Sequence, residues 1–263
     1  MLQKNKSTLQ YNYMIDCDKE TMLISADKLF YTIEGEGEYI GYPSVFMRLA
    51  MCNLTCSAFA SEDSPHGCDS FVSWSVKNKM TFNDIFQYME DNDLVSKLKA
   101  SAILKITGGE PMIQQKKLLI FIKAFIERYE FTPVIDFETN ATLIPSAEWL
   151  EYGATFTTSP KLSTNGDPES KTYNPKALNW HIQNKSGFKF VITCSEDIDE
   201  IWRKYVTNDD VKIPLDRVWF MPCCGSQKEH LEKGAAVAEY AKALGVKFSP
   251  RLQLVLWDMA LLV

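Results

Sequence analysis

Short apolar runs alternate with amphipathic stretches along most of the chain. The runs Val45–Leu49, Ile103–Ile106, Val134–Phe137, Thr155–Thr158, Phe188–Ile192 and Val218–Met221 are each four or five residues long. Several are rich in β-branched or aromatic residues and end at Gly, Pro or Ser, which predicts strands. Helical patterns lie between them. Thr81 with Asp84 forms a capping box that opens a helix through Glu90. After Pro111, the residues Leu118, Phe121, Ile122, Phe125 and Ile126 make one apolar face. Behind Ser195, Ile198, Ile201, Trp202 and Tyr205 make another, and an alanine-rich helix over Lys228–Leu244 stops at Gly245. Strands alternating with helices predict the α/β class, with a mostly parallel sheet either open or curved into a barrel. Ligands in such folds bind at the carboxyl ends of the strands.

The chain has 263 residues, 46% apolar and 24% charged, which excludes wholesale disorder and allows a substantial core. No Gly/Ser/Pro-rich linker or internal repeat divides it, so one domain over residues 1–263 is expected. The net charge of −6 gives no electrostatic footprint for nucleic acid or an anionic membrane. The longest apolar stretches, Leu118–Ile126 and Leu254–Val263, carry Lys123 and Asp258 and fall well short of the ~20 residues of a membrane span. The first ten residues lack the features of a signal peptide, so a cytoplasmic location is expected. Seven cysteines at uneven spacing do not read as a disulfide framework.

Cys52, Cys56 and Cys68 fall in one loop after a strand. Three thiolates can hold three irons of a 4Fe–4S cube and leave the fourth open to a small molecule. A structural zinc site would need a fourth ligand, from His66 or from Cys17, Cys194, Cys223 or Cys224. Unrelated buried cysteines are the third reading. Spacing alone leaves all three open.

The surrounding motifs narrow the choice. CNLTC…CDS, preceded by IEGEGEYIGYPSVFMRL, resembles the amino-terminal signature of the 7-carboxy-7-deazaguanine synthases, radical S-adenosylmethionine enzymes of 7-deazapurine (queuosine-type) biosynthesis. Gly35, Glu36, Gly37, Gly41, Pro43, Arg48, Cys52, Asn53, Leu54, Cys56, Cys68 and Asp69 match it in order. Downstream, Thr107–Pro111 (TGGEP), Glu138–Thr142 (ETNAT) and Ser159–Lys161 (SPK) each follow or end a predicted strand. The resemblance covers about the first two thirds of the chain.

It implies a modified partial (βα) barrel of the radical S-adenosylmethionine type. The implied reaction is the ring contraction of 6-carboxy-5,6,7,8-tetrahydropterin to 7-carboxy-7-deazaguanine with loss of ammonia, a carbon–nitrogen lyase reaction. Implied cofactors are a 4Fe–4S cluster on Cys52, Cys56 and Cys68, S-adenosyl-L-methionine and Mg2+, the last on Ser70. Gly108, Gly109, Glu110, Glu138, Asn140, Ser159 and Lys161 would hold the S-adenosylmethionine. Ile33, Glu34, Gly35, Glu36, Arg48, Thr107 and Gln253 would face the substrate, with the Arg48 guanidinium suited to its carboxylate. An electron donor such as flavodoxin and a homodimer are the implied partners. Each residue also has a plainer reading: a tight turn for the glycines, a first-turn carboxylate for Glu110, a surface ion pair for Arg48, an acidic hairpin for IEGEG and a turn cap for Ser70.

The chain departs from the pattern in three places. Eleven residues, Ser57–Gly67, separate Cys56 from Cys68 where two are usual, enlarging the loop 52–68 at only about 0.6 kcal/mol of closure entropy per doubling. Gly67 stands where an aromatic residue commonly packs on adenine, with His66 and Phe59 the nearby rings. Glu34 replaces a glutamine, exchanging two donors for an acceptor. Two rival functions are an activase that installs a glycyl radical in a protein partner and a zinc-binding module without catalysis. Arg48, the IEGEG turn and CDS favour the small acid substrate.

Overall fold

Every one of those apolar runs becomes a strand in the computed structural model, which describes residues 15–60 and 65–260. The strands are β1 (Thr21–Ile33), β2 (Pro43–Leu49), β3 (Asn78–Thr81), β4 (Ile103–Gly108), β5 (Val134–Thr139), β6 (Thr155–Thr158), β7 (Gly187–Ile192), β8 (Val218–Pro222) and β9 (Lys247–Phe248). They form one nine-stranded sheet in the order β3-β1-β2-β4-β5-β6-β7-β8-β9. From β2 onward every neighbour is parallel, while β1 and β3 close one edge antiparallel. The result is the open, partial (βα) barrel.

Strand alternation divides the sheet into two chemically different faces. Val45, Met47, Leu49, Leu104, Ile106, Ile135 and Phe137 point outward into a core shared with the helices Phe82–Asp91 and Gln115–Tyr129. Phe188, Phe190, Val218 and Phe220 do the same against Tyr205, Val237 and Ala241. The opposite face presents Arg48, Lys105, Thr107, Asp136, Glu138, Thr157 and Lys189. The turn after β1 crosses that face: Tyr39 reaches the Thr155 hydroxyl at 3.0 Å, and the Gly37 N–H donates to Ser249 Oγ at 2.8 Å.

The helix over Phe82–Asp91 opens on the full capping box, with both Thr81 and Asp84 side chains engaged. The alanine-rich helix runs Gln227–Leu244, and Gly245 ends it at φ 68°. Trp202 is a correction: it is 39% exposed, off the stripe that buries Ile201 and Tyr205. The helix Glu196–Ile201 widens into a π-helical turn over Trp202–Val206, which rotates the stripe past Trp202.

Among the described residues, no helix is long and apolar enough to cross a membrane. The amino-terminal segment read for a signal peptide lies outside the described residues. So do residues 61–64 of the enlarged loop and the end of the Leu254–Val263 run.

Candidate active site

β2 delivers Cys52, and the chain then turns through Cys56, which adopts a left-handed conformation at φ 50°. Cys68 follows after the long loop and accepts the Trp74 indole N–H at 3.4 Å. Burial pushes the Cys52 thiol up to about 12 and the Cys68 thiol up to about 11, and it raises Cys56 as well. Cys56 and Cys68 both add to the rise at Cys52, so the three sulfurs lie within electrostatic reach of one another. Such thiols give up their protons to a metal centre rather than to water. Among the described residues, no three His, Cys, Asp or Glu side chains are grouped to ligate a single ion. A tetrahedral zinc draws each sulfur to about 2.3 Å from one point, whereas each corner of an iron–sulfur cube takes its own thiolate.

The GGE turn after β4 is built against the cysteine segment. A side chain on Gly108 would collide with the Leu49 backbone, and one on Gly109 with Met51 and the Cys52 side chain. Gly108 also sits at φ 128°, which only glycine adopts freely. The Glu110 N–H continues the contact, donating to Met51 O at 2.9 Å. These glycines thus make room for the chain entering Cys52. Glu110 is fully buried, and its carboxylate accepts from Met112 N at 3.0 Å, Thr139 Oγ1 at 2.8 Å and Asn140 N at 2.7 Å. Burial raises its pKa despite these bonds. Three of about four acceptor positions are therefore filled from within the chain. Asn140 donates in turn to Asn53 Oδ1 at 2.9 Å, tying the end of β5 to the CNLTC segment. Lys161 donates to Ser159 O and Ser159 Oγ, both at 2.8 Å, and its charge favours the Cys56 thiolate.

The inner wall carries two buried lysines, each between carboxylates. Lys105 lies 2.9 Å from Glu34 Oε2 and 2.6 Å from Asp136 Oδ2. Lys189 lies 2.6 Å from Glu138 and also contacts Glu36. Burial opposes ionisation of Glu138, yet Lys189 holds it down to about 2. Glu36 is held well below the usual carboxylate range, against burial, by Lys189 and Arg251. Burial dominates at Glu34 and raises it, with Lys105 pulling the other way. Thr107 donates to Glu138 Oε2 at 3.1 Å. Ile33 ends β1 opposite Pro43, so it bounds the turn from the sheet edge.

The carboxy-terminal segment closes over this turn. Arg251 reaches Glu36 at 2.9 Å, Asp69 and the Cys224 carbonyl, while Gln253 donates to Glu36 at 2.7 Å. A side chain on Gly35 would strike Gln253. Arg48 stands 3.2 Å from Asp27 and donates to Ser70 Oγ at 3.3 Å. Around the turn, Gln253 Oε1 is buried without a hydrogen-bond partner, whereas Glu34 Oε2 is paired with Lys105 at 2.9 Å and Arg48 Nε with Asp27 at 3.2 Å. An orphaned buried polar atom is costly unless a ligand completes it.

No protein-family model matches the chain. Curated relatives do. The 7-carboxy-7-deazaguanine synthase of Pyrobaculum aerophilum is 30% identical over 238 residues, covering 89% of this chain and 94% of that protein. The chain belongs to the 7-carboxy-7-deazaguanine synthase family. The synthase of Hyperthermus butylicus is 28% identical over 86% of this chain and 90% of its own length. The crystal structure of QueE from Escherichia coli shares the fold, with a TM-score of 0.57 at 18% identity over 90% of this chain and 96% of that one.

Within this 7-carboxy-7-deazaguanine synthase family member, the departures acquire physical reasons. Gly67 lies at φ 83°, and a Cβ there would collide with the Cys56 and Ser57 backbone, so the enlarged loop folds back onto its own start and excludes an aromatic ring. His66 instead stacks on Phe71 at 4.9 Å. Sequence reasoning missed Lys105, Asp136, Lys189 and Arg251. The signal for the two lysines was present, because each interrupts an apolar strand at an inward-facing position (ILKIT and FKFVI).

Proposed function

We propose that this chain is a 7-carboxy-7-deazaguanine synthase, a radical S-adenosylmethionine lyase folded as one domain. It would contract the ring of 6-carboxy-5,6,7,8-tetrahydropterin to 7-carboxy-7-deazaguanine with loss of ammonia. The observation that supports this reading is the polar set on and around the turn: the buried Glu34 carboxylate, the unpartnered Gln253 Oε1, and the Arg48 guanidinium, which reaches the Ser70 hydroxyl two residues past Cys68. Two acceptors and one cationic donor suit a substrate with an aminopyrimidine edge and a carboxylate.

Cys52, Cys56 and Cys68 would hold three irons of a 4Fe–4S cluster. With S-adenosylmethionine bound, the cluster supplies the one-electron chemistry that starts the reaction. Gly108, Gly109 and Glu110 shape the cradle on one side, with Glu138 and Asn140 at the next strand end. The Lys161 ammonium has three donors, two of them spent on Ser159, so one remains for an anionic group of the cofactor.

On the substrate side, Arg48 turns its fork toward the carboxylate, and the Ile33–Gly37 turn with Thr107 and Gln253 frames the pterin edge. Ser70 Oγ and the Asp69 carboxylate, 3.2 Å apart, are the oxygen donors that would hold a magnesium ion. The Arg48 guanidinium donates to that hydroxyl at 3.3 Å, so the residue proposed for the substrate carboxylate and the residue proposed for the ion are neighbours. A homodimer, a flavodoxin-type electron donor and a cytoplasmic setting complete the proposal. The test is an anaerobic assay of the reconstituted chain with the carboxytetrahydropterin and S-adenosylmethionine. Product identified by mass spectrometry supports the reading, and cofactor cleavage without product overturns it.

A further inference from the structure

We propose that Asp167 and Asn165 are positioning residues for Cys56, replacing from outside the loop the constraint that a short spacing between cluster cysteines would supply. The proposal rests on the reading of Cys52, Cys56 and Cys68 as cluster ligands. With eleven residues between Cys56 and Cys68, local sequence no longer fixes where Cys56 points. Cys56 is also a non-glycine residue held at φ 50° and ψ 37°, a conformation its own backbone disfavours. Something else must hold it.

Asp167 does so. Its carboxylate accepts from Thr55 N at 2.9 Å, Thr55 Oγ1 at 2.9 Å and Cys56 N at 2.8 Å, so both peptide N–H groups entering the ligand are gripped. Asn165, fully buried, donates its amide to Asp167 at 3.1 Å and to Cys56 Sγ at 3.7 Å. Its carbonyl oxygen accepts Asp167 N at 2.9 Å, which closes the clamp on itself. Gly166, at φ 86°, lies so close to Ala58 that a Cβ would come within 2.8 Å of the alanine Cβ. The clamp is anchored in turn. Glu200 accepts Ser163 N at 2.9 Å and Ser163 Oγ at 2.6 Å, and Asp197 accepts Thr164 Oγ1 at 2.8 Å, both from the helix Glu196–Ile201. A path of direct contacts therefore runs from a packed helix to one sulfur.

The two residues have separable effects. Asp167 fixes the backbone that aims the sulfur, and so governs how firmly a cluster is kept. Asn165 adds an N–H to the sulfur, and such hydrogen bonds draw electron density from a ligating thiolate and raise the potential of its cluster.

The full chain is reconstituted anaerobically with iron and sulfide, alongside Asp167→Ala, Asp167→Asn and Asn165→Ala. The readouts are iron and sulfide per chain, the rate of iron loss to a chelator, and the midpoint potential by titration followed with electron paramagnetic resonance. Asp167→Ala should lose iron about 10- to 100-fold more readily than the parent. Asp167→Asn, which keeps one acceptor oxygen, should fall between them. Asn165→Ala should load fully but shift to a more negative potential. Retention and potential matching the parent in all variants would overturn the proposal. If Asp167→Ala does not fold, Asp167→Asn and Asn165→Ala decide it on the same readouts. A parent chain that assembles no cluster defeats the functional reading instead.

Discussion

Replacing Lys105 by methionine tests the charge balance of the inner wall. Lys105 is 2% exposed and sits between Glu34 and Asp136 at 2.9 Å and 2.6 Å. Methionine fills nearly the same volume, so the change removes the charge rather than the packing. It leaves two buried carboxyl groups without a counter-charge, and breaking a buried pair costs about 3–5 kcal/mol. At about 2–4 °C per kcal/mol for a chain of this size, the melting temperature should fall by roughly 10 °C at neutral pH. The cost should also depend on pH. Burial already raises the Glu34 pKa in the folded state, and loss of the Lys105 pull raises it further. The folded variant then binds a proton more tightly than the unfolded chain, so its stability is lost as pH rises through the folded value and regained as pH falls. Denaturant unfolding of Lys105→Met and the parent, at pH 8 and again near pH 5, measures both effects. A cost below about 1 kcal/mol at pH 8, or one that grows toward pH 5, would refute the reasoning.

Further outcomes follow from the site. Cys52→Ala, Cys56→Ala and Cys68→Ala should each fail to assemble the cluster, read by iron content and the visible spectrum, while Cys223→Ala assembles it normally. Arg48→Ala should weaken substrate binding by about 30-fold, the worth of one charged hydrogen bond at about 2 kcal/mol. Cleavage of S-adenosylmethionine by a chemical reductant should remain measurable in that variant, and unaltered substrate affinity would remove Arg48 from the carboxylate. Gly108→Ala, which places a methyl group against the Leu49 backbone at φ 128°, should destabilise the chain by about 3 kcal/mol, read from the urea midpoint.

The strands β2 and β4 to β8 were legible because each is a short β-rich run whose outer face meets helices, as at Ile135 and Phe137 in β5. β1 was not, because its alternation breaks where Lys28 takes φ 56° and the register shifts between Ile24 and Leu29. β3 and β9 carry little apolar signal of their own and owe their pairing to tertiary contacts. At the site, motif spacing located the cysteines and the strand-end residues. It could not show that Glu110 turns into the fold, or that Arg251 joins Glu36, Asp69 and Cys224. Those contacts join residues up to 215 positions apart, such as Arg251 and Glu36. Pairings at that range are set by how the carboxy-terminal segment crosses the barrel mouth, which no local pattern encodes.

Glu34 links that limit to function. A carboxylate in place of an amide on a substrate-facing turn is tolerable in a buried position only where a cation accompanies it. Lys105 stands 2.9 Å away on β4, seventy-one positions along the chain, so the two residues should behave as one unit. The expectation can be checked by a double-mutant cycle. Glu34→Gln alone keeps Lys105 paired with Asp136 and should cost about 1 kcal/mol or less. Combined with Lys105→Met, it removes one of the two stranded carboxylates, so the pair should be less unstable than the sum of the singles by about 1–3 kcal/mol. A coupling near zero would mean that Lys105 serves Asp136 alone. Glu34 would then have to be explained by a ligand of the turn rather than by Lys105.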